Sequence, residues 1–339
     1  MAPNVLLHGV GAIGAIYLHL LLKAGCRVTA VCRSNYDAVK ANGFTIDSVL
    51  YNTKDVHVKA TDVVRSPSEA AAHGPFDFLV VTTKALPDAK TAAAIAPAVT
   101  DGKTCIVLIQ NGVGIEDEYV ARFPGNPLLS CAVYLPSTQI SPGRIQMGNQ
   151  ELLEFGTFPD TAYDDSAAVK AAADSWLEIT KKGGSNCVFQ PNIQVQRWKK
   201  LMLNASWNPI CALTLSRDVA FYLATDVAEH VVLEVMLEIV HVAQALGFSE
   251  ITPEMTEKQI GNARKRIPGP GIEPSMLVDV LNGRRMEVEA IVGHPVREAK
   301  RLGVSVPRLE TLYALAKALD DAIAFRKPGQ SLSGDYKRV

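Results

Sequence analysis

The residues that most constrain the fold stand near the start of the chain, where an apolar run meets a glycine pattern. Val5–His8 predicts a short buried strand, and Ala12–Lys23 predicts a helix. Gly9, Gly11 and Gly14 give the pattern G-x-G-x-x-G. The first glycine makes a tight turn, the second lets the backbone approach a pyrophosphate, and the third lets the helix pack closely on the strand. This order predicts the first unit of a doubly wound parallel sheet.

The loop between this strand and helix is the predicted cofactor-binding segment. A helix N-terminus offers N–H groups and partial positive charge to phosphates. A tight strand–helix turn without a ligand is the alternative interpretation. The residues assigned to the cofactor here are Gly9, Val10, Gly11, Ala12, Ile13 and Gly14.

The end of the second predicted strand, Arg27–Val31, distinguishes between dinucleotides. NAD-binding sites usually carry Asp or Glu there, where it accepts hydrogen bonds from the ribose hydroxyls. This chain has Cys32-Arg33-Ser34-Asn35 instead. The planar guanidinium of Arg33 suits a 2′-phosphate, so the sequence favours NADP (NADPH) over NAD. A surface arginine without a ligand is the alternative.

Strands and helices alternate over the first half of the chain, and helical periodicity dominates after Pro191. We therefore predict an α/β fold: a Rossmann-type domain at 1–190, an all-helical domain at 191–326 and a flexible tail at 327–339. The later predicted strands are Phe76–Thr82, Thr104–Ile109, Leu128–Tyr134, Arg144–Met147, Glu151–Phe155 and Asn186–Gln190. The later predicted helices are Ala85–Ala96, Ala162–Lys181, Val195–Leu203, Val227–Leu246, Pro253–Arg266, Ser275–Val280, Val288–Leu302 and Arg308–Phe325.

Composition excludes several classes of function. A net charge of −1 argues against a nucleic-acid binder that relies on a basic field. No apolar run is long enough to cross a membrane, and no targeting segment is evident at the start. The six cysteines are scattered without a C-x-x-C pair and the seven histidines do not cluster, so we expect buried thiols and no metal site. We expect a cytoplasmic protein.

The most informative segment of the second half surrounds Lys200. Lys200, Asn204 and Asn208 are spaced by four, which places them in one stripe on a helix among apolar neighbours. Polar groups in such surroundings need polar partners, and a ligand with carboxylate or hydroxyl groups would supply them. Partial burial can lower the pKa of a lysine towards neutrality, which suits a general acid. A solvated helix edge is the alternative.

A second candidate face contains Ser275, Asp279, Gly283 and Glu287, again spaced by four. If this segment is helical throughout, one hydroxyl and two carboxylates share a face; Ser275 could equally cap the helix above a solvated acidic edge.

Two further candidates, Lys84 and Asn111, follow predicted strands, at the edge where such sheets bind ligands. The pair Glu238 and His241 resembles half of a di-iron motif, but we interpret it as a solvated helix face. Apolar residues from Val231 to Val240 would either serve a homodimer or belong to the core.

Together these motifs resemble the ketopantoate reductase (2-dehydropantoate 2-reductase) family from residue 4 to about 320. The segments that carry the resemblance are Gly9-x-Gly11-x-x-Gly14, Arg33, Lys84, Gln110-Asn111-Gly112, Trp198-x-Lys200-Leu201-x-x-Asn204-x-x-x-Asn208-Pro209, Ser275-Met276-Leu277-x-Asp279 and Arg285-x-Glu287.

The resemblance implies NADPH-dependent reduction of 2-dehydropantoate to (R)-pantoate, on the route to pantothenate and coenzyme A. It also implies a helical domain of the 6-phosphogluconate-dehydrogenase type. Lys200 would be the proton donor, and Glu287, the other catalytic candidate, would contact the nicotinamide ribose and the substrate hydroxyl. Arg33, Lys84 and Asn111 would join the glycine loop at the cofactor. The substrate-binding residues would be Asn111, Lys200, Asn204, Asn208 and Ser275.

One departure concerns the substrate. The family often has Asn where Asp218 stands, and a negative charge there would disfavour a substrate carboxylate. Two alternatives stand beside the expected activity. One is a D-2-hydroxy-acid dehydrogenase acting on other branched 2-keto acids, and the other is a non-enzymatic NADPH sensor.

Overall fold

A computed structural model describes residues 2–323, so the predicted tail at 327–339 lies outside the described residues. The chain forms two compact units. The first contains the residues up to Asn111 together with Ile115–Gln196. The second contains Gly112–Gly114 and the residues from Arg197 onwards.

The strands of the first unit form two sheets. In chain order they are β1 (Asn4–His8), β2 (Arg27–Val31), β3 (Phe44–Ser48), β4 (Thr53–Val58), β5 (Asp62–Val64), β6 (Phe78–Val81), β7 (Cys105–Leu108), β8 (Leu128–Tyr134), β9 (Ser137–Ser141), β10 (Arg144–Met147), β11 (Leu152–Thr157) and β12 (Cys187–Phe189).

The larger sheet has the order β12-β11-β8-β7-β6-β1-β2-β5. Neighbouring strands pair in parallel except for β8 and β11, so β11 and β12 run opposite to the other six strands. Residues Val5–Leu7 of β1 and all of β6 and β7 are apolar and buried, as expected where helices cover both faces of a parallel sheet. The carboxyl ends of β1, β2, β6 and β7 therefore lie at one edge, and this edge receives the predicted cofactor residues.

The smaller sheet has the order β4-β3-β10-β9. Of its strands, β10 is predicted from the sequence, whereas β3, β4 and β9 are not. In β3 buried residues alternate with half-buried ones, and in β4 Val58 alone is buried.

The helices of the first unit lie between its strands in chain order. They are α1 (Ala12–Lys23), α2 (Tyr36–Asn42), α3 (Pro67–Ala70), α4 (Thr91–Ile95), α5 (Asp117–Arg122), α6 (Ala162–Asp165) and α7 (Ala167–Gly183). The predicted α1 and β2 have the observed bounds.

Two helix predictions in this unit were wrong in extent. The region 85–96 contains a 3₁₀ turn at Pro87–Ala89, the left-handed Lys90 and then α4, and a second 3₁₀ turn begins at Ala96, so no continuous helix forms. The region 162–181 breaks at Ser166, whose hydroxyl accepts the Val169 N–H and starts α7.

The second unit is helical. Its helices are α8 (Ile193–Thr214, which begins in the first unit), α9 (Asp218–Tyr222), α10 (Ala228–Ala245), α11 (Glu254–Arg264), α12 (Ser275–Leu281), α13 (His294–Leu302) and α14 (Pro307–Ile323). A π-helical turn at Glu289–Gly293 leads into α13.

The apolar stripe of α10 belongs to the core. Val232, Met236, Ile239 and Val240 are fully buried. Val231 and Leu237 of the same segment are only half-buried, and a role for them in a homodimer stays a prediction. Within the same helix Glu238 is buried rather than solvated, and its carboxylate accepts the N–H groups of Arg308 and Leu309 at the start of α14. The interpretation of Glu238 as part of a solvated face was wrong.

All six cysteines are buried free thiols, as expected. Across residues 2–323, no cluster of His, Cys, Asp or Glu could hold a metal ion. Among the same residues, no helix combines the length and the apolar character needed to cross a membrane.

Candidate functional site

The glycine loop joins β1 to α1 through a backbone that other residues would not permit. Gly9 has φ +92°, and a Cβ there would lie 2.3 Å from Thr83 Cγ2. A Cβ at Gly14 would lie 2.7 Å from Thr82 Oγ1. The Thr82 hydroxyl in turn donates to the Gly9 carbonyl at 2.8 Å. The first and third glycines therefore have the roles predicted for them, a tight turn and close packing.

The N-terminus of α1 has the features of an anion site. No side chain caps it and its first turn carries no acidic residue. A Cβ at Gly11 would meet nothing within 4 Å, so space remains beside the backbone. Thr83 Oγ1 is buried and has no hydrogen-bond partner among the described residues. These features fit the pyrophosphate of a dinucleotide.

The residues after β2 lie beside this loop. Arg33 is exposed, and its charge together with burial lowers the pKa of His8 to about 4, burial being the larger cause. Asn35 is buried and donates to the Val10 carbonyl at 2.9 Å. Asn35 therefore braces the glycine loop, a role that sequence reasoning missed although an amide directly after β2 was visible. The nearby Asp37 pairs with Arg65 at 2.7 Å.

Lys84 and Asn111 follow the adjacent parallel strands β6 and β7. Both are partly buried. Gln110, next to Asn111, donates to the Thr83 carbonyl at 2.9 Å and so joins the ends of the two strands. The structure thus places the glycine loop, Lys84 and Asn111 at the carboxyl edge of one sheet.

In the helical unit, Lys200, Asn204 and Asn208 lie along one face of α8, as predicted. The Lys200 residue is half-buried. The loss of hydration at its ammonium group lowers the pKa of that group to about 7. The positive charge of Arg197 lowers this pKa further, whereas the negative charge of Glu287 raises it. Lys200 therefore lies beside both an arginine and a carboxylate.

Asn208 connects α8 to α12. Its side-chain oxygen accepts the Ser275 hydroxyl at 2.9 Å and the Met276 N–H at 3.0 Å. Asn208 is buried, and because it accepts the Met276 N–H it caps the first turn of α12. Ser275 is the first residue of that helix and not its cap. Part of the hydrogen-bonding capacity of Asn208 is used within the protein.

The second predicted face is not one helix. Helix α12 ends at Leu281, so Ser275 and Asp279 share its face but Gly283 and Glu287 lie beyond it. Asn282, Gly283 and the following irregular residues redirect the chain before the next helical turn. The expectation of one continuous stripe was therefore wrong, although Glu287 still reaches Lys200 electrostatically.

The π-helical turn after Glu287 binds the loop Gly112–Gly114, which belongs to the same compact unit. The Ala290 carbonyl accepts the Val113 N–H at 2.9 Å. Arg197 Nη2 donates to the Gly112 carbonyl at 2.6 Å. Sequence reasoning missed Arg197, although its position three residues before Lys200 on a helix placed it near the stripe.

Asp218 is fully buried and its charge is paired. Its carboxylate accepts the N–H groups of Val219 and Ile272 at 2.8 and 2.7 Å, and it contacts the Arg266 guanidinium. Arg217 also pairs with Glu273 at 2.8 Å. Arg266 thus offsets the negative charge of Asp218, which the sequence predicts to disfavour a substrate carboxylate. The Asp218 carboxylate also holds the segment before Ser275.

Comparisons with known proteins show to which family this chain belongs. The ketopantoate reductase PanE/ApbA family matches residues 5–160, and its C-terminal domain matches residues 192–320. An uncharacterised protein of Saccharomyces cerevisiae is 32% identical over 96% of this chain and 95% of its own length.

Two solved structures are also similar. That of 2-dehydropantoate 2-reductase from Methylococcus capsulatus is 34% identical with a TM-score of 0.80, covering 98% of this chain and 100% of that one. A ternary structure of D-mandelate dehydrogenase with NADH and anilino(oxo)acetate has the same fold, with a TM-score of 0.81 at 20% identity, over 95% and 100% of the two chains.

A parallel sheet with a glycine loop, a helical unit carrying Lys200 and Glu287, and family matches over both halves lead to one conclusion. This chain belongs to the ketopantoate reductase family of oxidoreductases.

Proposed function

We propose that this protein reduces the ketone of 2-dehydropantoate to (R)-pantoate with NADPH, in the biosynthesis of pantothenate and coenzyme A. The observation that carries the proposal is the environment of Lys200. An ammonium whose pKa is lowered to about 7 by burial and by the charge of Arg197, with Glu287 opposing, exchanges a proton readily at neutral pH. A reductase that converts a ketone to an alcohol needs such a donor.

The chemistry divides between cofactor and protein. When bound, the nicotinamide supplies a hydride to the carbonyl carbon. Lys200 gives its proton to the carbonyl oxygen, so the ketone becomes an alcohol. Asn111, Asn204, Asn208 and Ser275 are the residues we assign to substrate binding, with Asn208 also orienting Ser275 through their 2.9 Å hydrogen bond. Glu287 would bind the ribose and the substrate hydroxyl.

The choice of NADPH depends on Arg33. This exposed guanidinium follows β2, and no carboxylate occupies residues 32–35. A guanidinium–phosphate contact contributes on the order of 1.5–3 kcal/mol.

We expect Arg33→Asp to raise the Kd for NADPH by about tenfold or more and to change the Kd for NADH much less. Fluorescence titration with both cofactors measures this. Arg65→Ala is a matched control, since it removes an exposed guanidinium that pairs with Asp37. Equal losses for NADPH and NADH would mean that Arg33 does not bind the 2′-phosphate.

A second candidate activity is a D-2-hydroxy-acid dehydrogenase that acts on other branched 2-keto acids. The shared fold of D-mandelate dehydrogenase favours keeping it. Such an enzyme would prefer 2-keto acids that lack the 4-hydroxyl group of 2-dehydropantoate.

The test of the proposal is the initial rate of NADPH oxidation with 2-dehydropantoate beside a panel of branched 2-keto acids, repeated with NADH. Fast turnover of 2-dehydropantoate with NADPH is the expected result. If only the other 2-keto acids are turned over, the proposed reduction of a ketone holds, but 2-dehydropantoate is not the substrate. Tight NADPH binding without oxidation of any substrate would indicate the sensor instead.

A further inference from the structure

The segment between α12 and the π-helical turn contains Glu287 but has no regular structure of its own. Residues 284–287 belong to neither a helix nor a strand. Glu287 is nevertheless buried. A carboxylate in an irregular segment keeps one position only if neighbouring residues fix the backbone that carries it.

Asp320 of α14 supplies that fixation. Its Oδ1 accepts the Met286 N–H at 2.6 Å and its Oδ2 accepts Arg285 Nε at 2.8 Å. Asp320 is 2% exposed, so its charge is largely removed from water, and these two donors compensate for that loss.

These two hydrogen bonds act on the residues directly before Glu287. Met286 is itself buried, and on the other side the Glu287 carbonyl accepts the Ile291 N–H at 3.1 Å. The backbone of Glu287 is thus held on both sides. Asp320 binds the two residues that precede Glu287, and the helical turn fixes the residues that follow it.

We propose that Asp320 is a positioning residue for the reaction, which fixes the segment that presents Glu287 to Lys200 and the ligands. The inference rests on the proposed function, because it assigns Glu287 a part in that site. Asp320 acts through its hydrogen bonds to Met286 and Arg285.

The test compares graded variants with a matched control. Asp320→Asn keeps an oxygen for the Met286 N–H but cannot accept Arg285 Nε through its amide nitrogen, and Asp320→Ala removes both acceptors. Asp321→Asn is the control, because Asp321 is exposed in the same helix and pairs with Lys317.

We expect kcat to fall about tenfold in Asp320→Asn and about 100-fold in Asp320→Ala, since small displacements of reacting groups cost factors of this size. In a Glu287→Gln background the same substitutions should lower kcat less than about threefold, because the group they position has already been changed. The control should remain within about twofold of wild type. Full losses in both backgrounds would overturn the proposal and leave Asp320 a purely structural role.

A second readout is independent of turnover. Deuterium uptake by peptides covering residues 284–292 of the ligand-free protein should rise in both Asp320 variants and stay unchanged in Asp321→Asn. If the wild-type protein reduces no 2-keto acid, the proposed function fails, and faster uptake still supports the fixation of this segment. Unchanged uptake in Asp320→Ala contradicts the inference whatever the activity.

Discussion

At the scale of single residues, Lys200 shows how surroundings change the chemistry of a side chain. Burial lowers its pKa from 10.5 to about 7, with Arg197 adding to this effect and Glu287 opposing it. Loss of hydration disfavours the charged ammonium, and the carboxylate only partly compensates. The result is a group that can both hold and release a proton near neutral pH.

We expect Lys200→Ala to lower kcat by at least about two decades, the typical contribution of a positioned general acid. The Kd for NADPH should hold, because the cofactor residues we assign in the first unit are unchanged. Single-turnover rates and cofactor titration separate the two effects. Lys199→Ala is the control, and a kcat near wild type for Lys200→Ala would remove Lys200 from the mechanism.

The pKa of Lys200 also fixes the sign of the pH dependence. The donor must be protonated, so kcat for reduction should be highest below pH 7 and fall as the pH rises through about 7. Glu287→Gln removes the charge that raises this pKa and should move the decline to lower pH. A pH–rate profile of kcat tests both statements, and a rate that increases above pH 7 would contradict the assignment.

At the scale of elements, the segment before Ser275 is held by charge and by close packing. Asp218 and Arg217, at the start of α9, bind Ile272 and Glu273. Gly271 has φ +75°, and a Cβ there would lie 2.2 Å from Asp218 Oδ1 and 2.9 Å from Val219 Cβ. Only glycine allows this approach, because any side chain would displace the buried carboxylate.

Gly271→Ala should therefore destabilise the protein more than Gly303→Ala does. Gly303 has φ +70° but open space around it, so both variants bear roughly 1–2 kcal/mol for a left-handed alanine. At Gly271 we expect a further cost of about 1–3 kcal/mol from overpacking. Urea unfolding midpoints give the comparison, and equal losses would mean that the loop yields without disturbing Asp218.

At the scale of the whole molecule, the two units have separate fluorescent reporters. Trp176 lies in the α/β unit, where it is buried against Phe78 with ring centroids 5.5 Å apart. Trp198 and Trp207, the other tryptophans of the sequence, lie in the helical unit. When the tryptophans of one unit are replaced by phenylalanine, the remaining tryptophan fluorescence reports on the other unit alone.

With only Trp176 retained, NADPH at a concentration about 100 times its Kd should stabilise the α/β unit by about 2.7 kcal/mol. The physical reason is that a ligand bound to the folded state alone shifts the unfolding equilibrium. Thermal or urea unfolding followed by tryptophan fluorescence measures it. No shift in the midpoint would exclude the glycine loop of this unit as the cofactor site.

Sequence patterns alone determined much of this protein. Strand–glycine–helix order placed α1 and β2 with their observed bounds and β1 to within one residue, because the period and turn chemistry of those segments are local properties. The stripe of Lys200, Asn204 and Asn208 was equally predictable, since helical spacing alone aligns residues four apart.

Other features were decided only by the tertiary structure. Helix α12 stops at Leu281, and Glu287 lies in the irregular segment that follows it. Glu287 acts on the pKa of Lys200 from there. Asp320, more than thirty residues later in the chain, fixes this segment. Spacing and position predict Glu238 on a solvated face and Asp218 near a substrate, yet each carboxylate is buried and accepts backbone N–H groups of distant segments. A sequence shows which charges a chain carries, but their partners depend on contacts between residues far apart in it. Those contacts decide whether a carboxylate is exposed, structural or part of the site.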